Sequence, residues 1–188
     1  MISIMHCYSV FTRGYALLSL AILLSTSGLA SADARVCISG QDVNGKSVTV
    51  NAKGHYTLVL YTNPDLEDDS RNVTLALDDY RSRSNFALVR VVDLRGGVPP
   101  EMRGIVRVKI REEQAKENLR LRKAGVSADS NAAPIIADFS GSTLDALGWG
   151  STYDSLRLVI YDPNGREIKR LADISSPRQV TRVVDSIL

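Results

Sequence analysis

Six consecutive residues, Tyr56-Thr57-Leu58-Val59-Leu60-Tyr61, set the terms on which this chain folds. The run is apolar, aromatic or β-branched at odd and even positions alike, so neither side is suited to water. That pattern predicts a central strand covered on both faces. Thr62-Asn63-Pro64 ends it, because proline has no N–H for the sheet ladder. A helix is expected from about Asp68-Asp69-Ser70, where carboxylates complement the positive end of the helix dipole and Ser or Asp accepts free N–H groups. Val73, Ala76, Leu77 and Tyr80 then recur at helical spacing, and residues 81–85 close the helix.

The rest of the chain fits around this strand-loop-helix unit. Upstream, residues 35–39 read as a strand. Asn44-Gly45 reads as a two-residue hairpin turn into a half-buried strand carrying Val48 and Val50. Downstream, residues 86–93 form a second buried strand, and Arg95-Gly96-Gly97-Val98-Pro99-Pro100 a loop. Residues 101–123 form a long charged helix, with Pro100 suited to its first turn. Gly104 and the alternation Val106-Arg107-Val108-Lys109-Ile110 weaken that helix and mark Arg111 as a place for a break. Residues 124–133 are a small-residue linker. A short strand at 134–138, a short helix at 142–147, a strand at 155–161, a turn at Asp162-Pro163-Asn164-Gly165 and a returning strand at 166–171 follow. A final helix starts at Ser175-Ser176-Pro177 and buries Val180, Val183, Val184 and Ile187. Strands alternating with helices predict an α/β fold, a three-layer α/β/α sandwich whose central sheet is mixed. An N-terminal β-hairpin precedes it, and no internal repeat is present.

Residues 15–24 are an apolar run, with Arg13 before them and small residues after. This is the layout of a secretory signal peptide ending at Ala30-x-Ala32, or one step on at Ala34. The run is shorter than the roughly 18–20 residues that span a bilayer. The expectation is therefore a signal peptide at 1–32 and one domain at 33–188, exported to the periplasm in a Gram-negative cell and not integral to the membrane. Cys7 would leave with the signal, and Cys37 would remain alone, without an internal disulfide. The net charge of +2 gives no reason to expect nucleic acid as a partner.

The segment Asp42-Val43-Asn44-Gly45-Lys46-Ser47-Val48-Thr49-Val50, with the strand at 56–61, resembles the opening of redoxin-type thioredoxin-like domains. Ala133-Pro134-Ile135-Ile136-Ala137-Asp138 and Leu158-Val159-Ile160-Tyr161-Asp162-x-x-Gly165 fit the same superfamily. More closely, the chain resembles the YtfJ family of bacterial periplasmic proteins, which share Val91-Val92-Asp93-Leu94 before a Gly/Pro loop and a long charged helix. They also share a Trp after the short helix and a Ser before the hairpin strand. The resemblance covers nearly all of the chain beyond the signal and implies a thioredoxin-like fold. In catalytic members of the superfamily a Cys-x-x-Cys pair opens the first helix, where the helix N-terminus lowers a thiolate's pKa. Here Asp65 and Asp68 fall near those places, and Leu156, preceded by Ser155, falls near that of the cis-proline. Both departures imply a domain without redox-active cysteines.

The resulting expectation is a binding or accessory module, and no catalytic constellation is found. Its candidate binding loop comprises Thr62, Asn63, Asp65, Asp68, Asp69, Trp149, Thr152 and Ser155, and its partner is a protein or a small ligand. Trp149, flanked by glycines, is the candidate recognition side chain, against the alternative that it covers the edge of the core. Asp65, Glu67, Asp68 and Asp69 have no defined cation-loop spacing, so no metal or cofactor is expected. The arginines and lysines of the long helix are interleaved with Glu112, Glu113 and Glu117, which reads as a solvated face. The alternative function is a single-cysteine peroxidase or exchange enzyme using Cys37. A third reading is an accessory of a cell-envelope complex.

Overall fold

The structure is a computed structural model that describes residues 38–126, 133–151 and 153–188. Its first two strands, β1 (Ser39–Gln41) and β2 (Ser47–Thr49), pair antiparallel as a separate hairpin. The turn between them is longer than the two residues expected from Asn44-Gly45. The Asp42 carboxylate accepts the N–H groups of Asn44 and Lys46, the Asp42 N–H donates to the Lys46 carbonyl, and only Gly45 has positive φ. Asp162, Asn164, Gly165 and Arg166 repeat the same bonds in a second turn. The shared spelling Asp-x-Asn-Gly-Lys/Arg thus encodes one turn twice, built on an aspartate side chain rather than on a tight backbone reversal.

The central sheet has the order β5-β4-β3-β6-β7. Here β3 is Tyr56–Thr62, β4 Phe86–Asp93, β5 Ile135–Asp138, β6 Leu156–Tyr161 and β7 Glu167–Ile174. β3 pairs parallel with β4 and β4 with β5, whereas β6 pairs antiparallel with both β3 and β7. The mixed sheet expected from the sequence is present, and β3 lies at its centre with Leu58, Val59, Leu60 and Tyr61 fully enclosed. Two crossovers run in one direction, β3 to β4 to β5. Right-handed crossovers therefore put their helices, α1 (Glu67–Ala76) and α3 (Arg103–Lys123), over the same face. Arg90 and Val92 of β4 look toward that face. Tyr61 looks to the other, where Trp149, just after α4 (Ser142–Ala146), packs against its ring.

The helices depart from the sequence pattern in two places. The first helix breaks at the buried Leu77, and α2 (Asp78–Arg81) follows as a separate helix. The Leu77 N–H bonds the Thr74 carbonyl three residues back, and Tyr80 and Arg81 turn inward. α3 has no break at Arg111, since solvent-facing charged residues of good helix propensity carry it through. Only Gln114 and Leu121 of α3 are buried, and Ile105, Val108 and Leu119 stand in solvent. α5 (Pro177–Asp185) follows the expected pattern. Ser176 and Gln179 form a capping box, Pro177 fills the first turn, and Val180 and Val184 enter the core beside α1.

The expected strand at 35–39 is described only from Ile38 on, and β1 occupies Ser39–Gln41 instead. The expected signal segment, Cys37 and Thr152 lie outside the described residues. Among those residues no helix is long and apolar enough to cross a membrane.

Candidate functional site

The end of the sheet where β3 runs out is organised by Asn63. Its side-chain oxygen accepts the N–H groups of Asp65 and Leu66 at 3.0 Å each, capping a 3-10 turn (Pro64–Leu66) that leads into α1. Its amide nitrogen donates to the Tyr153 carbonyl at 3.0 Å, fastening the loop before β6 to the loop before α1. Thr62 is buried as well, and its hydroxyl donates to the Asn63 and Leu66 carbonyls. Two of the candidate residues are thus turned inward to build the loop.

Asp65, Asp68 and Asp69 lie on its exposed side, with Asp68 beside Arg71 at 3.3 Å. Among the described residues no three His, Cys, Asp or Glu side chains converge as metal ligands would. Ser155 faces away from this turn and donates to Asp173 at 2.6 Å. Trp149 is 2% exposed, so an exposed anchoring role is corrected to the core-edge role. Its ring meets Tyr61 edge-on at 5.8 Å, and its glycine neighbours serve the backbone path rather than presentation of the ring.

A polar cluster beneath the loop involves residues that sequence reasoning passed over. The buried Asp93, the last residue of β4, receives hydrogen bonds from Arg95 through the backbone N–H, Nε and Nη2. Tyr61 donates its hydroxyl to Asp93 at 3.2 Å and accepts the Tyr153 N–H at 3.0 Å. Arg95 also donates to the Trp149 and Gly150 carbonyls, reaching across to the loop after α4. Burial alone would raise the Asp93 carboxyl, but the Arg95 bonds overcome it and hold the group below the usual carboxylate range. The Tyr61 hydroxyl is raised, first by burial and then by the nearby Asp93 charge against the Tyr153 N–H. The Arg95 bonds fix its side chain against Asp93, and the bonds from Tyr61 and from Arg95 to Trp149 and Gly150 tie separate segments together, so the cluster acts as a frame. The signal for it was an aspartate closing a buried strand two residues before an arginine.

A cleft of about 480 Å³ starts beside Thr62, Asn63 and Pro64 and runs between α1 and α3 over β4. Val92, Leu94, Val98, Val106 and Ile110 supply its apolar lining, and Arg90, Glu117 and Arg120 line its inner part. There Glu117 bridges Arg81 (2.6 Å) and Arg90, and Asp78 pairs with Arg120 and Arg81. Burial lowers the Arg90 pKa, with Glu117 working against the shift. Sequence reading took Glu117 and Arg120 for part of a solvated helix face. Their partners lie 27 to 42 residues away, beyond any local pattern.

The mixed sheet and its covering helices form a thioredoxin-like fold. The chain is similar to the exposed lipoprotein thioredoxin Etrx1 of Streptococcus pneumoniae, with 12% identity, TM-score 0.54, and coverage of 80% of this chain and 98% of that one. It is similar also to a secreted Mycobacterium tuberculosis disulfide oxidoreductase, with 9% identity, TM-score 0.53, and coverage of 81% and 97%. A thiol-disulfide oxidoreductase from Bacteroides fragilis gives 16% identity, TM-score 0.52, and coverage of 81% and 97%. At these identities the likeness is one of fold alone. No protein-family model matches the chain. No curated protein matches it in sequence.

Proposed function

We propose that this chain is an exported member of the YtfJ family, a thioredoxin-like module that works by binding rather than by thiol chemistry. The observation that carries this reading is the turn ahead of α1. It holds Asn63, Pro64, Asp65 and Leu66 and no cysteine, and its polar groups are engaged in capping the helix and fastening the neighbouring loop. A carboxylate can neither form a disulfide nor attack a peroxide, so Asp65 and Asp68 do not replace a dithiol. The ligand would engage the loop end that residues 62–69 and 149–155 build, next to the cleft. Residues 1–32 are the proposed export signal, and the periplasm is the proposed location.

The test is an insulin-reduction and peroxide-consumption assay on protein recovered from the exported fraction, run beside a dithiol oxidoreductase. The expected rate is that of buffer alone. Turnover at enzyme-like rates would overturn the reading. In the same preparation, Cys37 should react with a thiol reagent at the rate of an ordinary thiol or more slowly. An intact mass beginning after Ala32 or Ala34 would agree with the proposed export signal.

A further inference from the structure

α3 has an outer side that nothing in the fold covers. Gln114 and Leu121 are buried on its inner side. On the opposite side Ile105, Val108, Ala115 and Leu119 are exposed, Ile105 at 62% and Leu119 at 54%. Three of the six large apolar side chains exposed among the described residues stand on this one helix. With Glu112 between them, these positions follow one another at alternate spacings of three and four (105, 108, 112, 115 and 119). That is the spacing of a coiled-coil seam, which keeps to one line of a helix, here over about 21 Å. Solvation alone asks for no such line, and each exposed aliphatic chain forfeits burial that a partner would supply.

The flanks of the seam carry one sign of charge. On one side Lys109, Lys116 and Lys123 form a row spaced by sevens, and Arg111 lies on the other side. Lys116 pairs with Glu113, and no salt bridge among the described residues takes up Lys109, Arg111 or Lys123. The four cations outnumber Glu112 and Glu113 even with both counted against them. Such flanks suit acidic side chains on a partner. A second copy of α3 is the wrong complement. In either orientation the seam sets Glu112 against Glu112 and a basic flank against a basic flank. A bilayer surface fits less well than a helix, because the seam is narrow, has no aromatic side chain and holds a carboxylate at its middle.

We propose that the outer face of α3 docks an acidic amphipathic helix of a partner protein. Its aliphatic side chains lie on Ile105, Val108 and Leu119, its carboxylates run along the lysine row, and a basic side chain meets Glu112. This surface is separate from the loop end proposed above, so the inference goes beyond that reading. The apolar seam supplies affinity, the flanks select the sign of the partner, and Glu112 fixes the register.

The experiment is fluorescence anisotropy of labelled three-heptad peptides titrated with the exported protein. The probe has leucine at its seam positions, a central lysine to meet Glu112, and glutamate along both flanks, which also keeps it from pairing with itself. One control carries lysine along the flanks, and the other carries glutamate at the central position. The acidic probe should bind about tenfold more tightly than the lysine-flanked control, from reversal of the charge pairs along the row. Its affinity should fall as salt is added. Ile105→Gln and Leu119→Gln should each weaken it about tenfold and leave the melting temperature near that of the parent. Glu112→Lys should exchange the order of the probes with central lysine and central glutamate, which a non-specific apolar contact would not do. Equal binding of the acidic and lysine-flanked peptides, no binding of the acidic probe up to its solubility limit, or undiminished binding by the glutamine variants would each overturn the proposal. Binding to phosphatidylglycerol vesicles that Ile105→Gln abolishes would overturn it in favour of a lipid surface. A dimer in sedimentation that Ile105→Gln dissociates would overturn it in favour of a second copy. Disulfide turnover would instead strike the reading above and leave this one standing, so the two failures are separable.

Discussion

Asn63 shows how one side chain can fix a loop where the fold otherwise has freedom. It offers one oxygen to two backbone N–H groups and one nitrogen to the Tyr153 carbonyl. Asn63→Ala removes both functions and should cost about 1–2 kcal/mol through the lost cap, with some addition from the half-buried Tyr153 carbonyl left without its donor. Asn63→Asp retains the cap and loses the donor, so it should fall between the parent and Asn63→Ala in urea denaturation. Asp93 predicts a pH dependence. Its carboxyl is depressed in the folded chain, against an ordinary value of about 3.9. The unfolded chain thus binds the proton first, and the stability contribution is complete above about pH 4 and lost as pH falls through the lower folded value. The stability difference between the parent and Asp93→Asn should be constant from pH 7 to 5 and shrink below about pH 4. A difference that held steady down to pH 2.5 would contradict this assignment.

At the scale of elements, α3 is the anomaly. A 21-residue helix with two buried side chains gains little from the hydrophobic effect, so its position depends on Gln114, Glu117 and Arg120. Glu117 is the shared acceptor for Arg81, which is 1% exposed, and for Arg90. Glu117→Ala would strand buried positive charge and should cost about 3–5 kcal/mol. Amide exchange in α3 should accelerate more than in β3 or β4. Ile105→Lys, on the solvent side of the same helix, should leave stability within about 0.5 kcal/mol of the parent. The position of this helix was not legible in the sequence. The heptad-scale pattern of α3 shows alternating charge and weak apolar periodicity, and nothing local says that Glu117 faces Arg81 and Arg90. The capping box of α5 was legible, because Ser176, Pro177 and Gln179 satisfy one another within a single turn.

For the whole molecule, the core is continuous across the sheet, from Val73 and Val180 on the α1 side to Leu144 and Trp149 on the other. Such a core predicts one cooperative transition. Trp149 is the sole tryptophan and lies inside this core, so its emission should start short-wavelength, resist iodide quenching and shift red on unfolding. That shift should coincide with loss of far-ultraviolet circular dichroism, and two separated transitions would contradict a single unit. Leu58→Ala, at the centre of β3, should lower stability by about 2–5 kcal/mol in the same assay.

The sequence by itself determined the elements whose causes are local. The two-sided apolar run made β3 central, and Asn63-Pro64 ended it. The paired Asp-x-Asn-Gly turns closed two hairpins, although the aspartate's part in them was not foreseen. The absence of cysteine from the turn before α1 was equally legible. Only the tertiary structure decided what depends on partners distant along the chain. It buried Trp149 against Tyr61, turned Thr62 and Asn63 inward, and joined Tyr61, Asp93 and Arg95 under the loops. It also brought Arg90 and Arg120 to a cleft that no stretch of sequence contains. The physical reason is the range of the forces. Caps, turns and strand patterns act over a few residues, whereas burial and ion pairing depend on which segments the folded sheet brings together.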